Sequence, residues 1–500
     1  MPHSTAMKRS AILSLPPALA LFAGFPFLSA NAWEPLRAHP ENPHILEFRG
    51  QPAVLRTYGE HYSSVINADF EFIPYLDSLQ RDGLNLTRVF LVGFSDVWKK
   101  DGLGPLAPAR DRFVQPWKRT DTHAKALDGH GKWDLSSWNE DYFARLKSFA
   151  QACGERGIVI ELTLFCTQYS DAQWQLSPFH PANNVQGAGH ANRYQSMRPV
   201  DAGLLAAQEA VVRKIVNEVN SFDNIYFEIQ NEPFWNGPGV RDAEEVEFHH
   251  KMLAVIRDEE SRLKKRHLVA HNFPQQAAAL SSDFDIINEH YPAAVRGSDI
   301  AGAEALLRDH YSRGDILAFD ETDTTNPTQN RLESWMFILG GGAIYSALDV
   351  PKHVYTVADE TGNCDFGKAA RGTLRDLGTY LKSLDLTHLR RDLSWITGGI
   401  PAGATLQAMA SPGRQYVAYL HHGKSGGKEF QVSYDPIDSS KHHASPVVMM
   451  EKGKWRAVWT RPADLVELHV EEFTHGGGAR TLAAATYQED VALRIDRIGD

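Results

Sequence analysis

Cysteine is scarce in this chain. Only Cys153, Cys166 and Cys364 occur, and no two are closely spaced. That excludes a disulfide framework and a cysteine-rich zinc site; one disulfide is open to the chain in an oxidising compartment, and buried thiols are the expected state. Positive charge is also in deficit: 51 lysines and arginines face 62 acidic residues, a net charge of -11. Such a surface argues against a polyanionic partner, so no nucleic acid is expected. Beyond residue 27 no apolar run is long enough to span a bilayer. There is no repeat of solenoid type and no low-complexity tract. No His-Glu-x-x-His motif is present. The pairs His249-His250, His421-His422 and His442-His443 are adjacent, poor spacing for ligation from one helix or strand face, and read as surface or packing residues. No metal and no organic cofactor is expected.

What is present fits a globular protein: 43% hydrophobic and 23% charged residues. A length of 500 residues suits one large domain and one smaller one. Lys8 and Arg9 precede an apolar region from Ala11 to Phe27, and Ala30-Asn31-Ala32 matches a small-x-small cleavage pattern. Residues 1–32 therefore read as a signal peptide. The expected location is secreted or periplasmic, with no membrane attachment after cleavage. The sequence leaves the oligomeric state unknown.

From about residue 44 short apolar runs alternate with amphipathic helical stretches, the pattern of βα units and a parallel sheet. A strand and turn at His44–Gly50 would cap a barrel floor. Eight strands follow: Ala53–Tyr58, Leu86–Val92, Ile158–Phe165, Ile225–Ile229, His267–His271, Asp285–Asn288, Ile316–Phe319 and Ala343–Leu348. The first helix carries Phe72, Tyr75, Leu76 and Leu79 on one stripe. Eight strand–helix pairs predict a TIM (β/α)8 barrel. Beyond about Leu389 short alternating stretches (Ala404–Met409, Gln415–Leu420, Glu429–Tyr434, Trp455–Thr460, Leu465–Val470, Val491–Ile495) predict a small all-β sandwich. The expected division is 33–388 for the barrel and 389–500 for the sandwich. Asn85-Leu86-Thr87 is a glycosylation sequon by pattern, but it falls on a barrel strand, so no glycan is expected there.

In such a barrel, chemistry sits at the C-terminal ends of the strands. Two carboxylates stand out there, Glu232 after strand four and Glu321 after strand seven, from opposite walls of one mouth. Cleaving a glycosidic bond needs such a pair, one protonated to assist the leaving oxygen and one ionised to attack the anomeric carbon. Asp320 is adjacent to Glu321 and competes for the inward position. Glu228, lower on strand four, reads as a hydrogen-bonded core carboxylate. Glu60 and His61, after strand one, either bind substrate or shape the barrel mouth. Trp98, Trp117, Trp133 and Trp174 lie in long loops above it. At least one, with Trp174 a candidate, is expected to stack on sugar.

Asn231-Glu232-Pro233, Glu321 within Leu317–Glu321, Arg88 after Asn85, and His290-Tyr291 together resemble clan A of the glycoside hydrolases, most closely family 5-like enzymes. The resemblance covers roughly residues 45–385, and the sandwich looks like the β-domain appended to many such enzymes. It implies that Glu232 is the acid/base and Glu321 the nucleophile. It implies that Asn231 binds the sugar 2-hydroxyl, that Arg88 keeps Glu321 ionised, and that Tyr291 or His290 holds the nucleophile or substrate. Two departures stand out. His290 and Tyr291 are adjacent, where the family commonly spaces them by two, and no tryptophan lies in Ala343–Asp349. The implied activity is retaining hydrolysis of a β-glycosidic bond in an oligo- or polysaccharide. The alternatives are a non-catalytic carbohydrate-binding barrel or a transglycosylase.

Overall fold

The computed structural model describes residues 33–59, 62–95, 108, 110–121, 123–233, 243–272, 283–290, 299–322, 327–347, 365–423, 437–483 and 485–500. Eight parallel strands build the barrel. They are β1 (Leu55–Tyr58), β2 (Leu86–Val92), β3 (Val159–Cys166), β4 (Ile225–Asn231), β5 (Val269–His271), β6 (Ile286–His290), β7 (Ile316–Glu321) and β8 (Ile344–Ala347). They are hydrogen-bonded in the order β1-β8-β7-β6-β5-β4-β3-β2. The seam between β1 and β2 is bridged by Asn85. Its backbone N–H donates to the Arg56 carbonyl at 3.2 Å. Its side chain accepts from the Arg56 N–H at 2.9 Å and donates to the Val54 carbonyl at 3.0 Å. The sequon asparagine thus uses its amide inside the barrel wall.

Every residue of β2, β3 and β4 is buried. A strand covered on both faces must be apolar almost throughout. Of the polar exceptions, Arg88, Glu161, Thr163 and Glu228 meet one another in the barrel interior. The helix Phe72–Arg81 buries Tyr75, Leu76 and Leu79 on one stripe. Before β8 the glycine run solves a packing problem. A Cβ on Gly342 would lie 2.3 Å from the Phe337 ring, and one on Gly341 would lie 2.5 Å from Tyr311, so only glycine lets the chain pass there. A three-stranded antiparallel sheet over residues 37–53 closes the floor. Its Leu46 packs with Leu55, Leu86, Val159, Ile286 and Ile316.

The C-terminal region forms a six-stranded antiparallel sheet, ordered Arg390–Arg391, Thr405–Ser411, Gln415–His421, Asp490–Gly499, Gly453–Arg461 and Val466–His475. Smaller sheets lie beside it, and Trp395, Tyr416, Trp455 and Trp459 fill the core on one face. Residues from the other face, Met409, Val417, Tyr419 and Ala492, join the barrel core. There Tyr419 stacks on Trp335 of helix Pro327–Leu339, ring centroids 5.9 Å apart. The molecule is a TIM barrel followed by a β-sandwich. The expected strand at Glu429–Tyr434 lies outside the described residues.

Candidate active site

The barrel interior narrows onto one guanidinium. Arg88, on β2, is fully buried. Its two terminal nitrogens serve different walls: Nη1 donates to Glu321 at 2.8 Å, and Nη2 donates at 2.6 Å to both Glu228 and Asn231. Glu161 and Asp320 stand 3.6 and 4.0 Å from its Nε.

A register shift between β6 and β7 decides which acidic side chain faces inward. Glu289 pairs with Phe319, but His290 pairs with Glu321. Asp320 is the extra residue of a bulge, which breaks the two-residue alternation. Both acids therefore reach the interior. Asp320 lies 2.7 Å from His290 Nε2, and Glu321 lies 3.0 Å from its Nδ1. Asp320 sits deeper, fully buried, while Glu321 is 6% exposed at the rim. His290 points into the barrel interior. Tyr291 lies outside the described residues.

Glu232 follows β4 with φ 48°, a left-handed conformation that costs a non-glycine residue roughly 1–2 kcal/mol. It also precedes Pro233, which disfavours helical backbone at that position. Strain of this kind clusters at functional sites. The Thr167 hydroxyl holds the turn by donating to the Glu232 carbonyl at 2.7 Å. The Glu232 carboxyl accepts from the Tyr169 hydroxyl and faces His290 Nδ1 at 3.5 Å. Asn231 and Glu228 both contact Arg88, although they stand three residues apart. Gln230 turns out of the barrel toward His249. Strict alternation therefore lapses before Glu232. One oxygen of Glu232, one of Glu321 and a ring nitrogen of His290 all lie within 4.8 Å of one another.

Among the described residues, five carboxyl groups thus share Arg88 and His290. Burial pushes Glu161 well above the usual carboxylate range, and the charges of Asp320 and Glu228 add to this. Burial also raises Glu228. Burial and the charge of Glu321 raise Glu232. Asp320 goes the other way: burial would raise it, but His290 and Arg88 outweigh that and hold it at about 2. Burial opposes the charge on His290, yet Glu321 and Asp320 prevail and raise it well above the ordinary imidazole value. Both of its nitrogens then donate, as an imidazolium requires. Two groups of potential metal ligands occur here, Glu232-His290-Glu321 and Glu228-His290-Asp320. Both include His290.

Other candidates fall elsewhere. Glu60, His61 and Trp98 lie outside the described residues. Trp174 is 2% exposed, and its indole N–H donates to the carbonyls of His190 and Ala191. Trp117 and Trp133 are also buried. These three aromatics pack the loops and offer no open face to a sugar, contrary to the expectation for Trp174. In the sandwich, Asp438 and the separated His422 and His442 come together. The two rings are stacked, centroids 3.4 Å apart and 6° from parallel. Sequence reasoning missed Tyr169 and Asn288. Asn288 donates to Glu228 at 2.9 Å and stands two residues before His290, on the same face of the strand. Tyr169 lies in a loop and carried no such signal.

No family model and no curated protein matches the sequence. Solved structures do match in fold. A candidate glycoside hydrolase from Bacteroides vulgatus aligns over 93% of this chain and 82% of its own, with TM-score 0.59 and 13% identity. A glycoside hydrolase family 5 protein from the same organism aligns over 93% of both chains, with TM-score 0.56 and 12% identity. A third structure, described as a glycoside hydrolase, covers 93% of this chain and 97% of its own at TM-score 0.55 and 11% identity. The chain has the barrel-and-sandwich fold of these glycoside hydrolase structures, with a carboxylate-lined mouth at the end where such barrels do their chemistry.

Proposed function

We propose that this protein is a retaining glycoside hydrolase acting on a β-linked oligo- or polysaccharide, with Glu232 as acid/base and Glu321 as nucleophile. The observation that carries the reading is the approach of the two carboxyls, with oxygens within 4.8 Å. Retaining enzymes hold their carboxyl groups about 5–5.5 Å apart, whereas inverting enzymes leave about 6.5–9.5 Å for a water. The two environments also differ in the required direction. Glu321 faces two cationic donors, Arg88 and His290, which favour the ionised form that attacks. Glu232 is pushed up by burial and by the charge of Glu321, which favours the protonated form that assists departure.

In the first step Glu321 attacks the anomeric carbon while Glu232 gives its proton to the leaving oxygen. In the second, Glu232 takes a proton from water, which attacks the same carbon and releases Glu321. Asn231 is held by Arg88 through Oδ1, and its N–H₂ donates to the Tyr169 hydroxyl at 2.7 Å and to Cys166 Sγ at 3.5 Å; a sugar hydroxyl would take the place of the weaker sulfur contact. The resemblance noted from sequence and the fold shared with glycoside hydrolase structures both support this reading. The leader pattern in residues 1–32 supports a secreted or periplasmic location, and the patterning supports a division near residue 388. Among the described residues no helix is long and apolar enough to cross a membrane.

The test is a screen of aryl β-glycosides, followed by Glu232→Ala on any substrate with a good leaving group. Azide should restore turnover and yield a β-glycosyl azide. Absence of rescue would remove Glu232 from the acid/base role. Sugar binding without turnover in the unmodified protein would favour a non-catalytic barrel. Product transfer to an added sugar acceptor would favour a transglycosylase.

A further inference from the structure

Beside Glu232 lies a group that the two-carboxylate scheme does not use, the buried phenol of Tyr169. Its hydroxyl accepts from Asn231 Nδ2 at 2.7 Å and donates to Glu232 Oε2. The direction of this chain follows from donor chemistry. A guanidinium has donors only. Arg88 Nη2 therefore donates to Asn231 Oδ1 at 2.6 Å, and this fixes which end of the Asn231 amide is oxygen. The opposite end is an N–H₂ group, which can only donate to Tyr169. The phenol oxygen thus receives that bond, and its single proton is left for Glu232.

We propose that Tyr169 is a positioning residue that commits its proton to Glu232 Oε2 and so confines the transferable proton of Glu232 to Oε1, the oxygen turned toward His290. This rests on the reading of Glu232 as acid/base and deepens it. Two consequences follow. With Oε2 occupied by the Tyr169 donor and His290 Nδ1 directed more closely at Glu321, 3.0 Å against 3.5 Å to Oε1, the acid proton of Glu232 sits on Oε1, so the leaving group is served from a fixed direction. The same bond stabilises the ionised carboxylate, against the burial and the Glu321 charge that raise Glu232. It thereby keeps the group able to release its proton and recover it. Burial holds the Tyr169 phenol well above its usual range, with charges nearby adding to the effect. It remains a donor across the working pH. Arg88 also binds Glu321, so one guanidinium anchors the nucleophile directly and the acid/base through Asn231 and Tyr169.

The test is Tyr169→Phe in the full chain, which removes one oxygen and keeps the ring. Carbon-13 labelling of glutamate carboxyls, with the Glu232 signal identified by its loss in Glu232→Gln, reads the titration without any substrate. Losing a hydrogen bond to a charged group should move the Glu232 midpoint upward by about one pH unit. The alkaline limb of kcat/KM should move the same way. An unchanged midpoint in folded Tyr169→Phe overturns the proposal. If that variant does not fold, Asn231→Leu reads the same quantity. It frees the phenol to rotate, and a midpoint that stays in place overturns the proposal equally. A shifted midpoint in a protein that hydrolyses no glycoside would uphold the Tyr169 assignment and count against the glycosidase reading, so the two fail separately.

Discussion

Two buried arginines organise this molecule in opposite ways. Arg331, at the seam between barrel and sandwich, makes two 3.0 Å bonds to Asp490 and a third of 2.7 Å to Glu489. Its fork meets one carboxylate in matched geometry, and Tyr419 supports Asp490 at 2.9 Å. Arg88 shares its donors among Glu321, Glu228 and Asn231 and matches none of them bidentately. It also stands beside Glu161 and Asp320, so among the described residues carboxyls outnumber cations around it. A closed pair of the first kind fixes geometry. A surplus of acids around too few cations drives their proton affinities apart, and that is what acid/base chemistry uses.

The sharpest way to break this contrast is to remove the acids at the mouth. Glu321→Ala should lower kcat about 10,000-fold or more, since groups that act as a unit fail together. Glu232→Ala should cost about 100- to 10,000-fold on substrates with poor leaving groups, read by initial rates. Removing the arginines comes next. Arg88→Met and Arg331→Met should each lose about 3–5 kcal/mol of stability, because each leaves buried carboxylates unpaired. Urea unfolding measures this. Only Arg88→Met should also abolish turnover in the folded fraction. Equal loss of turnover in both would erase the distinction.

A smaller effect concerns His290. Its folded value is raised, so its contribution to stability is complete below about pH 6.5, the ordinary imidazole value. That contribution disappears as pH rises through the folded value. Asp320→Asn removes one of the two charges that raise it. Melting temperature plotted against pH should therefore fall earlier on the alkaline side in the variant than in the parent. Identical curves would show that Asp320 does not hold the charge on His290. The smallest effect is Tyr419→Phe, which should cost about 1 kcal/mol by urea unfolding and leave kcat/KM untouched.

Much of the barrel was legible in the sequence because strands covered on both faces must read as apolar runs. Val159–Cys166 and Leu86–Val92 do so, and the expected bounds agree with the structure to within a residue. Glu232 and Glu321 could be singled out because a polar residue ending such a run has few structural reasons to be there. What was not legible depends on departures from periodicity. The bulge at Asp320 adds one residue without any compositional mark, so the choice between Asp320 and Glu321 could not be made by counting; both face inward. Tyr169 reaches the site from a loop, and nothing local distinguishes it from Tyr194 or Tyr62. Trp174 shows the converse. A loop aromatic above a barrel mouth reads as a sugar platform, yet tertiary packing buries it and satisfies its N–H within the loop.

The central claim is double displacement through Glu321, and the configuration of the first-formed product tests it most directly. With an aryl β-glycoside that the protein cleaves, proton NMR at early times should show the β-anomer accumulating before mutarotation supplies the α-anomer. Initial appearance of the α-anomer would mean a single displacement by water and would contradict the account.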